Sequence, residues 1–235
     1  MPKTKLKLLL LSAVLLLAGY YSGRSIWYPI YTKVRVPQTV ASVIDVVGPA
    51  ALQRIQPALT AAGLDTMPRK LRLQAFKKEQ RLEVYGLDRK GEWQHIKTYP
   101  FTAMSGDLGP KLQEGDRQIP EGIYSIEYLN PNSSYHLSAK ISYPNTYDQE
   151  KAAKAGRTNL GGDIMIHGKA VTVGCIPIGD TAIEELFLLL EAAMPAGVVV
   201  VISPQDFRVD PHYPEVNTVD WAEELYENIR PLLLQ

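Results

Sequence analysis

The sequence has one cysteine, Cys175, in 235 residues, so no disulfide can form within a single chain. It also lacks an excess of charge of either sign, because 25 basic side chains balance 25 acidic ones. The chain therefore has no excess of positive charge with which to neutralise a phosphate backbone, and this argues against nucleic-acid binding. His95, His136 and His212 do not have the spacing to acidic or sulfur residues that metal ligands show. We therefore expect no metal and no cofactor.

The start of the chain has the pattern of an exported protein. Three lysines at positions 3, 5 and 7 precede an uncharged apolar run over residues 8–18, which is short for a membrane span. We predict a signal peptide or signal anchor over residues 1–19, and a periplasmic or cell-envelope location. The cleavage site is poorly defined and aromatic residues follow it, so association with the inner membrane through residues 8–28 stays open.

With 46% hydrophobic residues, the rest of the chain can bury one main core. Residues 20–69 are expected to be a linker and N-terminal helices, with two short helices between residues 40 and 62 interrupted by Pro49 and Pro57. Residues 106–122 are rich in glycine, proline and charge, and they predict a long ordered loop with a functional role. The remaining predicted elements are strands at 71–77, 81–87, 93–99, 123–128, 137–143, 164–166, 175–178 and 198–202, a mobile surface segment at 148–162, a helix at 181–193 with Asp180 as N-cap, and an amphipathic helix at 219–234.

Two short apolar strands flank the connection between His167 and Cys175. If these strands are neighbours, the imidazole and the thiol meet at one end of the sheet. A thiol with an ordinary pKa of about 8.5 is only a few per cent ionised at neutral pH, so a nucleophilic thiol needs a nearby base. His167 is the histidine placed to serve. On this pair alone, a catalytic site and a purely structural strand-turn-strand both remain possible.

The residues around this pair suggest supporting roles. Gly174 lets a substrate carbonyl approach the backbone, so that the N–H groups of Gly174 and Cys175 can stabilise an oxyanion. The second ring nitrogen of His167 also has to be held, and the Gly168 carbonyl and the Thr172 hydroxyl are the local candidates.

The motifs together resemble the L,D-transpeptidase catalytic domain, which has the YkuD-type fold. They are His-Gly at 167–168, Gly-Cys-Ile at 174–176, Pro-Glu-Gly-Ile-Tyr at 120–124 and Tyr-Pro-Asn at 143–145. The run at 109–116 and the short gap between histidine and cysteine resemble the YafK-like branch in particular. The resemblance covers residues 70–205 and implies an α+β fold, with a mostly β catalytic sheet or sandwich and flanking helices. Residues 206–235 would then form a C-terminal helical extension.

Two departures from the family pattern affect the site. Thr172 and Val173 stand where the family has serine and histidine, and Pro177 replaces an arginine that the family uses for substrate carboxylates. Another cation would have to take over that contact, and the candidates are Lys111, Lys140 and Lys169. Substrate contacts are predicted for Tyr143, Asn145 and Lys111, and contacts to an amine for Asp116 or Glu121.

The resemblance also implies a function, namely acyl transfer from peptidoglycan stem peptides through a thioester on the cysteine. The YafK-like branch adds a second candidate reaction, hydrolysis of the amide bond that joins a lipoprotein to peptidoglycan. Transpeptidation and hydrolysis share the acyl-enzyme and differ in whether an amine or water takes the acyl group. A cell-wall binding module without turnover is the remaining alternative.

Overall fold

The computed structural model describes residues 37–235, together with Ser12 and Tyr20. The chain divides into two compact units, residues 1–38 and 39–235, and the elements described below belong to the second unit. Apart from Ser12 and Tyr20, the predicted signal segment, the linker up to residue 36 and the predicted membrane contact through residues 8–28 lie outside the described residues. No helix among the described residues is both long and apolar enough to cross a membrane.

Helix α1 (Val40–Ala61) is one continuous helix of 22 residues, so the prediction of two short helices was wrong. Thr39 caps its start through a capping box with Ser42, and Gly63, with a φ of 69°, follows its end. Pro49 and Pro57 lie inside the helix. A proline costs one backbone hydrogen bond, and this cost is offset because the buried face of α1 packs against a second helix, α3 (Asp180–Ala193).

Eight strands form one mixed sheet in the order β3-β2-β1-β8-β4-β5-β6-β7. The predicted meander of the first three strands is confirmed, because β2 pairs antiparallel with both β1 and β3. β1 runs parallel to β8, and β6 runs parallel to β7. The strands are β1 (Leu71–Phe76), β2 (Arg81–Leu87), β3 (Trp93–Pro100), β4 (Gly122–Asn130), β5 (Ser138–Ile141), β6 (Met165–His167), β7 (Ile176–Pro177) and β8 (Val198–Ser203).

Helices cover the two faces of the sheet. α3 packs against β4, β5 and β6, and α4 (Ala222–Leu233) packs against β8 and β4. Val200 and Ile202 belong to the main core, whereas Val201 belongs to a second core with residues of α4. Because successive side chains of a strand point to opposite faces, α3 and α4 lie on opposite sides of the sheet. The expected α+β fold is confirmed.

The segment predicted to be a mobile surface stretch contains helix α2 (Thr146–Lys154) instead. Asn145 and Asp148 form a capping box at its start, with the Asn145 Oδ1 accepting from the Asp148 N–H at 2.9 Å. Lys151 on α2 makes a 2.6 Å ion pair with Glu224 on α4. The polar composition of this stretch therefore reflects a half-exposed helix rather than a loop.

The helix predicted at 181–193 is present as α3, but its cap differs from the prediction. Gly179, not Asp180, is the N-cap residue, and no side chain caps the helix. The Asp180 carboxylate instead accepts a 2.8 Å hydrogen bond from the Lys169 N–H, which holds the turn after β6 against the start of α3.

The long loop over residues 106–122 is held by buried charges. The fully buried Lys77 ammonium donates to the carbonyls of Gly109 and Ile119 at 2.8 and 3.0 Å, and it pairs with the Glu121 carboxylate at 3.0 Å. Asp116 accepts backbone N–H bonds from three residues of the loop. A side-chain network of this kind fixes one loop conformation, because each buried polar group needs its partner.

Candidate functional site

His167 ends β6, and its imidazole is buried. Its Nδ1 lies 2.5 Å from the Gly168 carbonyl oxygen. A carbonyl oxygen only accepts, so in the neutral ring Nδ1 carries the hydrogen and Nε2 keeps a lone pair. Burial lowers the pKa of His167, although the bond to the Gly168 carbonyl acts in the opposite direction. The imidazole is therefore neutral at pH 7, with Nε2 able to accept a proton.

The Tyr135 ring stacks on the His167 imidazole, with 4.6 Å between ring centroids and 30° between ring planes. Tyr135 is 41% exposed, so it forms part of the outer wall of the site. Tyr135 carries no sequence signal for this contact, because nothing in its own segment indicates a partner 32 positions away.

Cys175 lies directly before β7, and its thiol contacts the backbone at the start of β6. The Met165 N–H donates to Sγ at 3.4 Å, and the thiol donates to the Asp163 carbonyl oxygen at 3.7 Å. Burial raises the pKa of the thiol; the hydrogen bond from the Met165 N–H lowers it, the Asp163 carboxylate raises it, and the Lys111 ammonium lowers it. The thiol is therefore protonated at neutral pH.

The imidazole and the thiol lie on the same face of the sheet. Ile166 and Ile176 pair in register and both belong to the main core on the α3 side. Cys175 and His167 are next to these isoleucines in the chain, so their side chains point to the opposite face of the sheet. On that face Cys175 lies diagonally across from His167. Within residues 37–235, no hydrogen bond joins the two side chains, since the thiol is bonded to backbone and the imidazole to Gly168.

The predicted supporting residues hold the turns on either side. A Cβ on Gly168 would come within 2.5 Å of the Asp180 Oδ1 and 2.7 Å of the Tyr135 carbonyl oxygen, so this tight approach requires glycine. Thr172 does not contact His167. Its hydroxyl donates to the Cys175 carbonyl at 2.7 Å and accepts from the Gly174 N–H at 3.2 Å. Of the two candidates for holding the imidazole, the contact is made by the Gly168 carbonyl.

The candidate oxyanion donors are not equivalent. The Gly174 N–H is already used by the Thr172 hydroxyl, whereas the Cys175 N–H makes no hydrogen bond to any of the described residues. Gly174 has a φ of 127°, and its Cα faces the long loop, since a Cβ there would lie 3.1 Å from the Gln118 carbonyl oxygen. The loop over residues 106–122 thus borders the turn that carries the thiol.

Tyr143 and Asn145, predicted as substrate contacts, are engaged in the fold. The Tyr143 side chain is buried and its hydroxyl donates to the Leu160 carbonyl at 3.2 Å. Asn145 caps α2, and its amide donates to the Ile123 carbonyl at 2.9 Å. These bonds commit part of the hydrogen-bonding capacity of both side chains to the fold, and their contact with a substrate stays a prediction.

Lys111, Asp116 and Glu121 are also committed to the long loop. The buried Lys111 ammonium donates to the Gln113 carbonyl at 2.8 Å and to the Asp116 carboxylate at 2.6 Å. Glu121 is buried against Lys77 and accepts from the Tyr226 hydroxyl at 2.8 Å. Direct contact of any of the three with a substrate would require breaking these bonds. Lys111 still acts on the thiol electrostatically, because its charge opposes part of the increase in the pKa of Cys175 that burial causes.

The family profile and the curated relatives agree on one family. The YkuD family profile, which describes the L,D-transpeptidase catalytic domain, matches residues 71–202. YafK of Escherichia coli (strain K12), which bears the provisional name L,D-transpeptidase, is 30% identical over 162 residues, and the protein of the same name from E. coli O157:H7 gives the same values. The matched region covers 68% of this chain and 63% of those relatives, so the chain spans less than two thirds of their length.

Two solved structures resemble the chain at a lower level. The first is the helical cell shape determining protein Pgp2 of Campylobacter jejuni, which is 22% identical with a TM-score of 0.48; the match covers 64% of this chain and 55% of Pgp2. The second is Bd1075 of Bdellovibrio bacteriovorus, which is 22% identical with a TM-score of 0.42; the match covers 60% of this chain and 50% of Bd1075. At these TM-scores the two likenesses carry no further argument. The family profile covers more than half of the chain and agrees with the curated relatives. This chain belongs to the L,D-transpeptidase catalytic domain family.

Proposed function

We propose that this chain is a cysteine enzyme of the cell envelope that acts on the peptide stems of peptidoglycan through a thioester on Cys175. The observation that carries the proposal is the placement of a neutral imidazole, with its tautomer set by the Gly168 carbonyl, on the same sheet face as the only thiol of the chain. A nucleophile, a base and a group that orients the base are the parts that acyl transfer needs.

The charge states favour activation by general base catalysis. Burial raises the pKa of Cys175 and lowers the pKa of His167, so the resting pair is a neutral thiol and a neutral imidazole rather than a thiolate and an imidazolium. The thiol proton then moves to Nε2 as sulfur attacks, instead of before substrate arrives. Tyr135 holds the plane of the ring during this transfer by stacking on it.

The reaction proceeds in two halves. The Cys175 sulfur attacks the carbonyl carbon of a stem-peptide amide while His167 takes the thiol proton, and the resulting oxyanion accepts a hydrogen bond from the Cys175 N–H. When the tetrahedral intermediate collapses, the amide C–N bond breaks, the amine leaves with the proton held by His167, and a thioester remains. An incoming water or amine then gives its proton to His167 and attacks the thioester carbon. The C–S bond breaks, and His167 returns the proton to the sulfur, which restores the thiol.

The nature of the second acceptor separates two activities of the same site. With an amine acceptor the product is a new peptide cross-link, and with water it is a shortened stem or a lipoprotein released from peptidoglycan. We hold the hydrolytic and the transpeptidase reactions as alternatives within one proposal, since the thioester is common to both.

The deciding experiment incubates the purified protein with defined stem peptides, cross-linked dimers and lipoprotein-linked peptidoglycan, followed by mass spectrometry of products and of the intact protein. We expect an adduct on the protein with the mass of an acyl group, located on Cys175. Cross-linked dimers would identify transpeptidation, and stems that end in a new free carboxylate would identify hydrolysis. Released lipoprotein would report the first half of either reaction, because the amine leaves as the thioester forms.

Cys175→Ala is the matched control, because it removes the sulfur with little change in volume. It should give no adduct and no product while unfolding at the same temperature as the parent. Equal product formation by the parent and by Cys175→Ala would exclude the thioester. Binding of stem peptides without turnover, together with a thiol that resists alkylation, would favour the cell-wall binding module instead.

Envelope location is part of the same proposal. The three lysines and the apolar run within residues 3–18 are the basis for expecting export. A reporter that works only outside the cytoplasm should be active when it is fused after residue 38. A fusion that stayed in the cytoplasm would contradict the predicted export.

A further inference from the structure

A lysine shares the sheet face that carries the candidate catalytic pair. Lys140 on β5 pairs in register with Met165 on β6, and the Met165 N–H is the group that donates to the Cys175 thiol. The neighbouring pair, Ala139 and Ile166, belongs to the main core. Because side chains alternate along a strand, Lys140 points to the opposite face, together with His167 and Cys175.

The contacts of Lys140 leave its ammonium group partly available. The Glu127 carboxylate lies 2.9 Å from Nζ, and the Asp163 carboxylate lies at 3.7 Å. The Asp163 side chain is 85% exposed, whereas that of Lys140 is only 19% exposed. An ammonium has three donors, so the close Glu127 contact leaves capacity for another anion. The exposed, longer contact to Asp163 is the one that a ligand can displace.

The local backbone supports a fixed position for this ammonium. The pairing of β4 with β5 shifts register at Glu127, between Ile126 and Tyr128, and a bulge of this kind redirects a side chain. The Tyr128 ring also faces the ammonium, with Nζ 5.9 Å from the ring centroid. The hydrogen bond to Glu127 raises the pKa of Lys140, so the group is positively charged throughout the neutral range.

The other two lysines that could replace the missing arginine have different positions. Lys111 is buried with its ammonium bonded to Asp116 and Gln113. The Lys169 ammonium donates to the Ser134 carbonyl at 2.8 Å, and its backbone is tied to Asp180 in the turn after β6. Among the three, Lys140 combines a place on the site face with a displaceable partner.

We propose that Lys140 binds a carboxylate of the substrate beside the amide attacked by Cys175, and that Asp163 is the counter-ion which this carboxylate displaces. The proposal rests on the function proposed above and adds the group that recognises the peptide. It follows from Pro177, which offers no donor from its side chain or backbone, and from the position of Lys140 two strands from the thiol, with β6 between them.

The test compares one stem peptide carrying its free carboxylates with versions in which each carboxylate is amidated in turn. Lys140→Met removes the charge and keeps most of the apolar stem, and Lys140→Arg keeps the charge. Lys151→Met is the matched control, since Lys151 is similarly buried and makes its ion pair with Glu224 between helices α2 and α4, not on the strands that carry the candidate pair. Thermal unfolding checks that all variants are folded.

For Lys140→Met we expect KM to increase by about tenfold to a hundredfold on the free peptide, the size of a lost charge-assisted contact, with little change in kcat. On the peptide whose critical carboxylate is amidated, the parent and Lys140→Met should have equal KM. Lys140→Arg should recover most of the affinity, and Lys151→Met should match the parent. The proposal would be overturned if Lys140→Met increased KM equally on all peptides, or increased it on none of them.

Binding measurements separate this proposal from the proposed function. In the Cys175→Ala background no turnover is possible, so calorimetric titration with the same peptides reports on recognition alone. Tighter binding of the free peptide than of its amidated form, lost on adding Lys140→Met, would support the carboxylate site even if the parent formed no thioester. Equal binding of both forms would refute it regardless of the activity found.

Discussion

Alkylation of Cys175 should follow the behaviour of a buried neutral thiol rather than that of a thiolate paired with an imidazolium. Burial is the main cause that raises the pKa of the thiol, and burial also lowers the pKa of His167. Both groups are then uncharged at neutral pH. Only the thiolate reacts with iodoacetamide, so the reactive form is scarce.

The size of the effect follows from the titration of a single group. A thiol at its ordinary pKa of about 8.5 is roughly 3% ionised at pH 7, and Cys175 should be less ionised than that. Below the pKa, the thiolate fraction grows tenfold for each pH unit, so the rate constant for alkylation should increase about a hundredfold between pH 6 and pH 8. Intact-protein mass spectrometry measures this rate directly, because every cysteine adduct is on Cys175.

Two substitutions test the electrostatic part of this reasoning. Asp163→Asn removes a charge that raises the pKa of the thiol, so alkylation at pH 7 should be faster. The gain should stay below about tenfold and shrink with added salt, because the carboxylate is largely exposed and its field is screened. Asp45→Asn, an exposed change on α1, should leave the rate unchanged. A rate constant that is flat between pH 5 and pH 8 would show a preformed ion pair and refute the neutral pair.

His167→Gln should slow formation of the acyl-enzyme by about 10²- to 10⁴-fold, the usual weight of a positioned base, and an unchanged rate in timed mass spectrometry would exclude this role. Lys77→Met should lower the free energy of unfolding in urea by about 3–5 kcal/mol, because it leaves the buried Glu121 carboxylate without its cation; a loss under about 1 kcal/mol would contradict this reading of the buried pair. Burial raises the pKa of Asp148 to about 6, so the native state keeps a proton that the unfolded state loses, and this carboxyl lowers stability as pH rises from about 4 to 6. Relative to the parent, Asp148→Asn should therefore gain up to about 3 kcal/mol over that range, and a constant difference would refute the shift.

Strands were predictable because their signal is local. The alternation over residues 81–87 predicts a strand that coincides with β2 (Arg81–Leu87), and the glycines beside His167 and Cys175 mark turns at those positions. The close packing found at Gly168 explains why glycine is required there, since its neighbours include the Asp180 carboxylate and the Tyr135 carbonyl. Residue type alone identifies such a position without identifying the atoms that fill the space.

Helices were harder to predict where tertiary contacts outweigh local preference. Pro49 and Pro57 predict breaks, but α1 continues because Arg54 bridges to Glu184 and Glu185 on α3 and its apolar face is buried there. In α2 the polar residues predict a loop, but Lys151 pairs with Glu224, 73 positions later. Partners so distant in sequence leave no mark on the local pattern.

The same limit explains why the sequence indicates Lys140 only as one of three candidate cations. Lys111, Tyr143 and Asn145 stand in or beside the family motifs, but each uses its polar atoms within loops and caps. Lys140 carries no comparable motif. Its place on the same face as Cys175 depends on two pairings at once, β5 with β6 and β6 with β7, and on the register of both. A slip of one residue in β5 would turn Lys140 into the core and Ala139 toward the face of the thiol. The cost of burying an unpaired ammonium therefore fixes the register that puts this charge on the face of the candidate pair.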